Sequence, residues 1–402
     1  MIEQIINGIN YRLDEETKTA EVIKKNGGYE GDIIIPETVV FNEASYLVTS
    51  IGENAFFCCE SLKSTTIPES VTSIGKEAFY ECKSLTSIAI PNSVTSIRES
   101  AFDNCSSLTA IKVAEGNTVF DSREKCNALI HTATNTLIRG CQNTNIPNSV
   151  TSIQSDAFYG CSSLTSITIP NSVTNIGDGV FSGCSSLTSI VVAEDNMVYD
   201  SREECNAIIE TATNTLIYGC QSTTIPNTVT SIGDEAFYRC ESLAAITIPN
   251  SIQSIGYKAF SICKSLKSII IPDSVTSIRQ HAFEYCESLK SVAIGNSVIS
   301  IEFNTFRRCS LLTDVTIGNS LRSIGDYAFE DCKSLKSITI PDSLTDIGKE
   351  AFYCCKSLRA IHYSGTIAQW KTITLAKGLI GAWNRRSAIN VVYCTDGNIW
   401  VH

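Results

Sequence analysis

A phrase of 23 residues recurs along almost the whole chain and limits the fold more than any other feature of the sequence. One copy runs from Leu85 through Ile88, Ile90 and Pro91 to Leu108. A fixed period of this length is typical of stacked coils, in which each coil packs only against its neighbours. Stacked coils present a long regular surface and no obvious pocket. The repeat therefore predicts the architecture and narrows the range of functions.

An Ile-x-Ile step marks one short strand in each coil. Its last apolar residue falls at Ile67, Ile90, Val113, Ile146, Ile169, Val192, Ile225, Ile248, Ile271, Ile294, Ile317, Ile340 and Tyr363. These positions are 23 residues apart, except for two spacings of 33, and Ile33–Ile35 looks like an earlier copy. The nine prolines all follow the step directly, at Pro36, Pro68, Pro91, Pro147, Pro170, Pro226, Pro249, Pro272 and Pro341. Proline is tolerated at the end of a strand but not inside it, so each proline marks a strand end.

The step also predicts how the coils associate. Ile88 and Ile90 alternate with Ser87 and Ala89, which is the pattern of a strand with one buried face. Stacking in register joins the inward residues into continuous rows and pairs each strand with the next in a parallel sheet. We expect residues 93–105 to form short extended or helical-turn segments on the opposite side.

Two coils, at residues 114–146 and 193–225, are each ten residues longer than the others. In the first, residues 128–132 and 136–139 flank a short Ala-Thr-Asn turn, which predicts a β-hairpin. Residues 199–220 of the second coil nearly copy residues 120–141 of the first. Blocks 67–145 and 146–224 are each 79 residues long and closely similar, which indicates duplication of a three-coil unit.

Both ends depart from the repeat, as the exposed apolar ends of a coil stack require. We predict a β cap at residues 1–50, repeats at 51–363 and a second cap at 364–402. In the first cap, residues 10–13, 20–23 and 39–41 are predicted strands. In the second, residues 366–374 contain Trp370 in a helical pattern, and residues 388–393 are a predicted strand.

The charge pattern excludes several classes of protein. The net charge is -11, and charged residues are scattered without basic clusters, which argues against a nucleic-acid partner. No apolar run approaches the ~18 residues of a transmembrane helix, so we expect no membrane insertion. Met1 leads directly into mixed polar sequence rather than a secretory signal. The protein is expected either to be cytoplasmic or to have lost a leader, and to be a monomer.

Eleven of the 18 cysteines occupy one repeat position. They are Cys59, Cys82, Cys105, Cys161, Cys184, Cys240, Cys263, Cys286, Cys309, Cys332 and Cys355. Identical side chains on neighbouring coils have parallel Cβ vectors ~4.8 Å apart, whereas a disulfide prefers ~3.8 Å. We interpret this row as a structural cysteine ladder of small buried thiols. A Cys126–Cys141 or Cys205–Cys220 bridge within a long coil is an open alternative.

The sequence contains no recognisable catalytic or cofactor motif. Its four histidines, His131, His281, His362 and His402, do not recur with the repeat and lie beside no triad-like Ser or Asp. Phosphate-binding, dinucleotide-binding and zinc-protease motifs are absent. Cys-x-x-Cys pairs are absent too. We therefore expect neither an enzyme nor a bound cofactor or metal.

The outward strand positions form one candidate binding surface. Most are Ser, Thr or Ala, which allow a partner to approach closely and suit broad multivalent contact. An equally simple interpretation is a solvated β face without a ligand. The candidate residues on this face are Lys112, Thr168, Thr247, Ile270, Asp314, Thr316, Thr339 and His362. Lys112, Asp314 and His362 depart from the small-residue pattern and are the preferred specific contacts.

The long coils form a second candidate surface, since loops on a rigid repeat scaffold often carry binding residues. Phe120, Arg123, His131 and Arg139 in the first correspond to Tyr199, Arg202, Glu210 and Tyr218 in the second. Both coils keep an Asp two residues before the Arg. This pattern predicts a structural Asp–Arg pair with variable contact residues, although drift after duplication gives the same pattern.

The repeat unit resembles the BspA-like leucine-rich repeat family. The resemblance covers residues ~30–363, and residues 243–266 and 335–358 match the unit best. Both ends also resemble bacterial members, notably Gly31–Pro36 and the segment from Ser364 to Gly397. The resemblance implies a right-handed leucine-rich repeat superhelix, or repeat solenoid. It would have a parallel β-sheet on one face, 23-residue coils, two hairpin-containing coils of 33 residues and a cap at each end.

The resemblance also implies a function. Family members are cell-surface or secreted proteins of host-associated bacteria. They are linked to adhesion and to host matrix, plasma or microbial surface proteins, and they carry no catalytic residues. Our leading hypothesis is accordingly a protein-binding module, and the alternative is a passive spacer of the cell envelope. Ice binding is disfavoured because Lys112, Val191 and Asp314 interrupt the outward polar rows.

Overall fold

The computed structural model describes residues 1–375 and 389–400. The chain divides into two compact units, one of residues 1–187 and 192–197, the other of residues 188–191 and 198–402. Both are built almost entirely from short strands and turns. The stacked coils with parallel strand pairing that the sequence predicted are confirmed.

The first unit begins with antiparallel and parallel strands, and strands form at the three predicted segments, residues 10–13, 20–23 and 39–41. Six strands precede the first complete coil: Ile2–Ile6, Ile9–Asp14, Thr19–Val22, Gly31–Ile34, Thr38–Phe41 and Ala44–Ile51. Ile2–Ile6 and Ala44–Ile51 were not predicted. The strand Gly31–Ile34 pairs in parallel with Leu62–Thr66, so the early Ile-x-Ile copy pairs with the first step strand in a two-stranded sheet.

Two rows of strands run through the coils of the first unit. The Ile-x-Ile step forms Leu62–Thr66, Ser87–Ile90, Ala110–Val113 and Ser166–Ile169. The opposite side carries the two-residue strands Ser73–Ile74, Ser96–Ile97, Ser152–Ile153 and Asn175–Ile176. Ser87 pairs in register with Ala110, and Ser73 with Ser96, both in parallel. The segments opposite the step are thus extended, and they form a second parallel ladder.

The second unit repeats this arrangement. Its step strands are Ser268–Ile271, Ser291–Ile294, Asp314–Ile317, Ser337–Ile340 and Ala360–Tyr363. The opposite row is Ser231–Ile232, Ser254–Ile255, Ser277–Ile278, Ser300–Ile301, Ser323–Ile324, Asp346–Ile347 and Thr374–Leu375. Ser189–Val192 contains residues of both units. The end is formed by the helix Ile367–Trp370 and the strands Val391–Cys394 and Gly397–Trp400.

The C-terminal helix and strand form with bounds that differ slightly from the predicted ones. The helix around Trp370 begins with a capping box, in which the Thr366 side chain accepts from the Gln369 backbone and the Gln369 side chain accepts from the Thr366 backbone. The strand predicted at residues 388–393 lies at Val391–Cys394, while Ala388 is outside the described residues.

Both long coils contain the predicted hairpins. The first has strands Phe120–Asp121, Leu129–His131 and Thr136–Arg139 and a 3-10 turn at Arg123–Lys125. The second has Tyr199–Asp200, Ala207–Glu210 and Thr215–Gly219, with a 3-10 turn at Arg202–Glu204. Thr136 and Leu137 pair in parallel with Ser152 and Ile153, so the first hairpin is part of the second ladder rather than a loose loop.

Three predicted step strands, ending at Ile146, Ile225 and Ile248, do not form. Residues 244–248, which include Thr247, have no ladder pairing although the sequence carries the Ile-x-Ile step. The step of the preceding coil, at residues 223–225, is not a strand either. There the Thr223 hydroxyl donates to the Asn206 carbonyl oxygen at 2.7 Å and accepts from the Cys220 backbone N–H at 2.8 Å. The step at Thr247 consequently lacks a strand partner on that side.

Phenylalanines and cysteines fill the interior of each unit. The buried rings of Phe237, Phe260 and Phe283 stack with centroids 4.9 and 5.2 Å apart. The Cys263 thiol donates to the Phe237 carbonyl oxygen at 3.2 Å, and this bond recurs along the repeat. It is made by Cys82, Cys105, Cys184, Cys263, Cys286, Cys309, Cys332 and Cys355. The ladder thiols therefore satisfy buried carbonyl groups as well as filling space.

Candidate binding surfaces

The outward sheet positions are open to solvent. Lys112, Thr168, Thr247, Ile270, Asp314, Thr316, Thr339 and His362 are all exposed. Ile270 is 71% exposed and lies in one row with Ala293 and Thr316 on the next two strands. A large apolar side chain this exposed on a sheet is a candidate contact residue. Thr247 is exposed but belongs to no strand, so it is not part of a sheet row.

The three preferred contacts have different surroundings. Asp314 accepts a hydrogen bond from the Thr313 hydroxyl at 2.7 Å. Lys112 lies beside Ala89 of the neighbouring strand. The His362 ring stacks on Tyr393, with centroids 5.0 Å apart and an angle of 18° between the planes. Lys112, Asp314 and His362 therefore all lie on strands whose backbones are held by pairing with a neighbouring strand.

The residues around His362 form an aromatic surface that sequence reasoning missed. Tyr393 is 38% exposed and Trp400 is 61% exposed, and their strands pair antiparallel. The only signal was the predicted strand at residues 388–393, and Tyr393 lies beside His362 because that strand pairs in parallel with Ala360–Tyr363. We name His362, Tyr393 and Trp400 the aromatic patch.

Arg123 and Arg202 are structural, as the Asp–Arg pattern predicted. The Arg123 Nε donates to both carboxylate oxygens of Asp121, at 2.8 and 3.0 Å, and Nη1 donates to Asn135 Oδ1 at 2.9 Å. Arg202 makes the same bonds to Asp200 and to Asn214, the latter at 3.0 Å. The pair fastens the hairpin turn to the start of the insert, so these arginines are not free to contact a partner.

Four other predicted contact residues are buried, which corrects the sequence-based interpretation. Phe120, Arg139, Tyr199 and Tyr218 are 4%, 3%, 6% and 7% exposed. Phe120 and Tyr199 pair with the hairpin and turn inward with its apolar residues. Arg139 and Tyr218 lie near the end of the second hairpin strand of each insert. None of the four presents a side chain to a partner at the outer surface.

His131 and Glu210 remain half-exposed at the hairpins. His131 Nδ1 lies 3.0 Å from the Thr134 hydroxyl, and its ring meets Phe120 edge-on at 6.0 Å. Glu210 accepts from the Thr213 hydroxyl at 2.6 Å. An imidazole ring in one insert is thus replaced by a carboxylate in the other, so the two hairpins present different side-chain chemistry.

Arg139 is held by an ion pair that the sequence did not reveal. Its Nη1 donates to Asp103 Oδ1 at 2.9 Å and to the Asp156 carbonyl oxygen at 3.0 Å. Its Nη2 donates to the Tyr159 carbonyl oxygen at 2.8 Å. Burial raises the pKa of the neighbouring Cys161 to about 11, with the Arg139 charge acting in the opposite direction. The guanidinium therefore lies beside a neutral thiol and one carboxylate.

All cysteines fall within the described ranges and carry free thiols. Ten of the eleven ladder cysteines are buried, and Cys240 is half-buried. The alternative of a bridge within a long coil is not realised: Cys141 donates to the Asn127 carbonyl oxygen at 3.0 Å, and Cys220 to that of Asn206 at 3.3 Å. In residues 1–375 and 389–400, no three His, Cys, Asp or Glu side chains are grouped to hold a metal ion.

Comparison with known proteins identifies the family. The model described as "BspA type Leucine rich repeat region (6 copies)" matches residues 37–134, 134–205, 207–312 and 300–377. The chain belongs to this family. No curated protein sequence matches it. No helix in the described part of this BspA-type chain has the length and apolarity needed to cross a membrane.

Two solved structures show the same fold. A leucine-rich cell surface protein from Faecalibacterium prausnitzii A2-165 is 29% identical, with a TM-score of 0.57, over 93% of this chain and 98% of that one. A leucine-rich repeat protein from Eubacterium ventriosum ATCC 27560 is 23% identical, with a TM-score of 0.58, over 97% and 92% of the two chains. The match to nearly the whole length of both relatives supports the repeat architecture along the chain.

Proposed function

We propose that this chain is a non-catalytic, adhesin-like scaffold at the bacterial cell surface that binds host matrix or plasma proteins, or microbial surface proteins. The observation that carries the proposal is the open outer face of the step strands. Its small side chains surround the exposed Ile270, Asp314 and His362. Membership of the BspA-type family and the likeness to the Faecalibacterium prausnitzii cell surface protein support this function and location.

The proposed function depends on a detailed arrangement of coils and caps. We propose a right-handed superhelix of 23-residue coils with long coils at residues 114–146 and 193–225. The chain would divide into a cap at residues 1–50, repeats at 51–363 and a cap at 364–402. The strand pairing and the two hairpins support these limits. Such a scaffold presents contact residues on a rigid backbone, which reduces the entropy lost on binding.

Binding of the purified chain to immobilised fibronectin, fibrinogen and mucin tests the function. The variant combines Lys112→Ala, Asp314→Ala and His362→Ala, and a matched control combines Ser87→Ala, Ser268→Ala and Ser337→Ala at outward positions of the same strand row. Saturable binding that only the first variant weakens by about tenfold or more supports the proposal. Absence of binding to every panel protein would favour the alternative of a passive envelope spacer.

A further inference from the structure

Successive 23-residue coils are joined by backbone hydrogen bonds next to the second strand row, and these bonds form a ladder. After that strand, alternate N–H groups donate to carbonyl oxygens of the next coil. Phe79 donates to Ala101 at 2.8 Å and Glu81 to Asp103 at 3.0 Å. In the second unit, Phe260 donates to Ala282 in the same way, also at 2.8 Å. Each ordinary coil therefore leaves its neighbour no unpaired edge here.

The first insert opens this ladder. The Asn104 N–H still donates to the Tyr159 carbonyl oxygen at 3.2 Å, which closes one end. The next acceptor, the Ala157 carbonyl oxygen, is taken by the Gly140 N–H at 2.8 Å. Among the described residues, the N–H groups of Ser100 and Phe102 consequently have no acceptor. A backbone N–H without a protein acceptor can take a further hydrogen bond, so this edge is able to receive a carbonyl group.

A cleft of about 950 Å³ lies at this opening, so the expectation that stacked coils leave no obvious pocket is wrong here. One wall is residues 97–103, the other is residues 154–156, and Ile138 and Arg139 lie between them. Glu53, Gly75, Lys76 and Leu129 complete the lining. The volume is near the upper end of the ~300–1,000 Å³ usual for ligand sites.

The cleft contains a buried donor besides the two backbone groups. Arg139 is 3% exposed, and its Nε has no hydrogen-bond partner in the described structure. Its two terminal nitrogens are occupied by Asp103 and by backbone carbonyl groups. The guanidinium thus fixes the inner end of the cleft while one of its N–H groups lacks an acceptor.

Both signs of charge surround the opening. Arg98, Glu53 and Glu99 are exposed, and none of the three forms an ion pair within the described ranges. Asp156 adds a further carboxylate. Glu53, Glu99 and Asp156 would repel a polyanion, and Lys76, Arg98 and Arg139 would repel a polycation. A peptide that carries one acidic and one basic side chain matches both.

We propose that this cleft binds an extended peptide segment of a partner protein, about five residues long, along the edge formed by residues 97–103. Its carbonyl groups, two residues apart, accept from Ser100 and Phe102, as a neighbouring coil does elsewhere. An acidic side chain of the segment pairs with Arg98, and a basic one pairs with Glu99. This inference rests on the proposed protein-binding function and gives it a site and a partner chemistry.

The second insert does not repeat this chemistry in its sequence. The residues 79 positions after Arg98, Ser100, Asp103 and Arg139 are Gly177, Gly179, Ser182 and Tyr218. The two arginines and the aspartate of the first set are thus absent from the second. A peptide selected by the charged groups of the first cleft has no equivalent set of partners there.

Selection of a phage-displayed random heptapeptide library on the full chain tests the proposal, followed by calorimetry with the selected synthetic peptides. Gln154→Trp fills the cleft opening, and the Gln154 side chain is exposed, so folding should be preserved. Arg98→Ala removes the unpaired cation. Arg279 occupies the same repeat position in the second unit, so Arg279→Trp and Arg279→Ala are the matched controls.

We expect Gln154→Trp to weaken peptide binding at least about tenfold and Arg98→Ala about three- to tenfold, with both controls unchanged. Peptide addition should also slow hydrogen exchange at the Ser100 and Phe102 amides. Failure to select any peptide, or affinities that Gln154→Trp leaves unchanged, would overturn the proposal. Self-association abolished by Gln154→Trp would also overturn it, since the occupant would then be a second copy of the chain.

The outcomes separate this site from the wider function. Panel binding that persists in Gln154→Trp, together with no selected peptide, overturns the cleft while leaving the scaffold function supported. If Gln154→Trp abolishes binding of the selected peptides and the chain binds no panel protein, the peptide site in the cleft is supported. The same result counts against the sheet face as the binding surface.

Discussion

The two inserts, residues 114–146 and 193–225, share one set of contacts that fix their backbones, which we call the frame. They differ in other side chains at corresponding positions. In both, an asparagine donates from Nδ2 to two carbonyl oxygens of the preceding coil: Asn117 to Pro91 and Val94, and Asn196 to Pro170 and Val173. In both, an Asp–Arg pair binds the asparagine of the hairpin turn. These contacts fix the backbone with side chains present in both copies, so the frame is a requirement of the fold.

Side chains of the two inserts differ at positions that do not take part in these backbone-fixing contacts. Arg139 of the first insert forms a buried ion pair with Asp103, and the corresponding residue of the second insert is the buried Tyr218. His131 similarly corresponds to Glu210. The comparison teaches that binding specificity should be sought at the differing positions, while stability should depend equally on the shared ones.

Arg139→Met should produce the largest difference between the inserts. Removing one partner of a buried ion pair leaves Asp103 uncompensated, so we expect the free energy of unfolding to fall by about 3–5 kcal/mol. Urea denaturation measures this. The double variant Asp103→Ala with Arg139→Met should recover much of the loss. A single variant within about 0.5 kcal/mol of the native protein would show that the pair does not support the frame.

Gly140→Ala and Gly219→Ala should destabilise the two inserts alike. A Cβ on Gly140 would lie 2.2 Å from Phe158 Cε1, and one on Gly219 would lie 2.1 Å from Phe237 Cε1. Both rings are buried and cannot move away, so each change should cost about 1–3 kcal/mol. Gly233→Ala, where the nearest atom is 3.1 Å away, is the control and should cost less. A loss in only one insert would break the equivalence of the frames.

High pH should destabilise both inserts. Burial raises the pKa of Cys126 and of Cys205 to about 11, above the ordinary thiol value of 9.0. The folded chain binds these protons more tightly, so their contribution is complete below pH 9 and is lost as the pH rises towards 11. Cys126→Ala and Cys205→Ala should each reduce the fall in unfolding free energy over this range, by on the order of 1 kcal/mol. An unchanged pH profile in both variants would contradict the burial argument.

Arg123→Ala and Arg202→Ala should have the smallest effects, and equal ones. Each arginine is about one quarter exposed beside its aspartate, with side-chain values of 27% and 26%. Partial exposure screens the pair, so we expect a loss of about 1 kcal/mol or less in urea denaturation. Arg279→Ala, whose pair with Asp234 is 3.4 Å long and more exposed, is the control and should be nearly neutral. Unequal losses would show that the frames are not equivalent.

The repeat made most of the fold predictable, and long-range pairing explains what was missed. The strand positions and both hairpins follow from local periodicity. The partner of Arg139 does not, because Asp103 is 36 residues away and nothing near either residue indicates the pair. The cleft was missed for the same reason, since the Gly140 N–H beside it takes the Ala157 carbonyl oxygen and nothing near either residue indicates that bond.

The candidate site was predictable in part. Alternation along the strands placed Lys112, Asp314 and His362 outward, where they lie. Thr247 has the same local pattern but lies in no strand, which the sequence does not distinguish. Phe120 and Tyr199 were assigned to the surface because they lie in the long coils, which were interpreted as binding loops, and the hairpin turns them inward instead.

Hydrogen–deuterium exchange of the full chain tests the central claim most directly, namely that both inserts are rigid frames built into the ladder. The amides of residues 136–139 and 215–219 should exchange as slowly as those of the ordinary strand Ser277–Ile278, because all are paired with neighbouring strands. Exchange of the hairpin amides within seconds, while Ser277–Ile278 stays protected, would contradict the claim and show that the inserts are mobile loops.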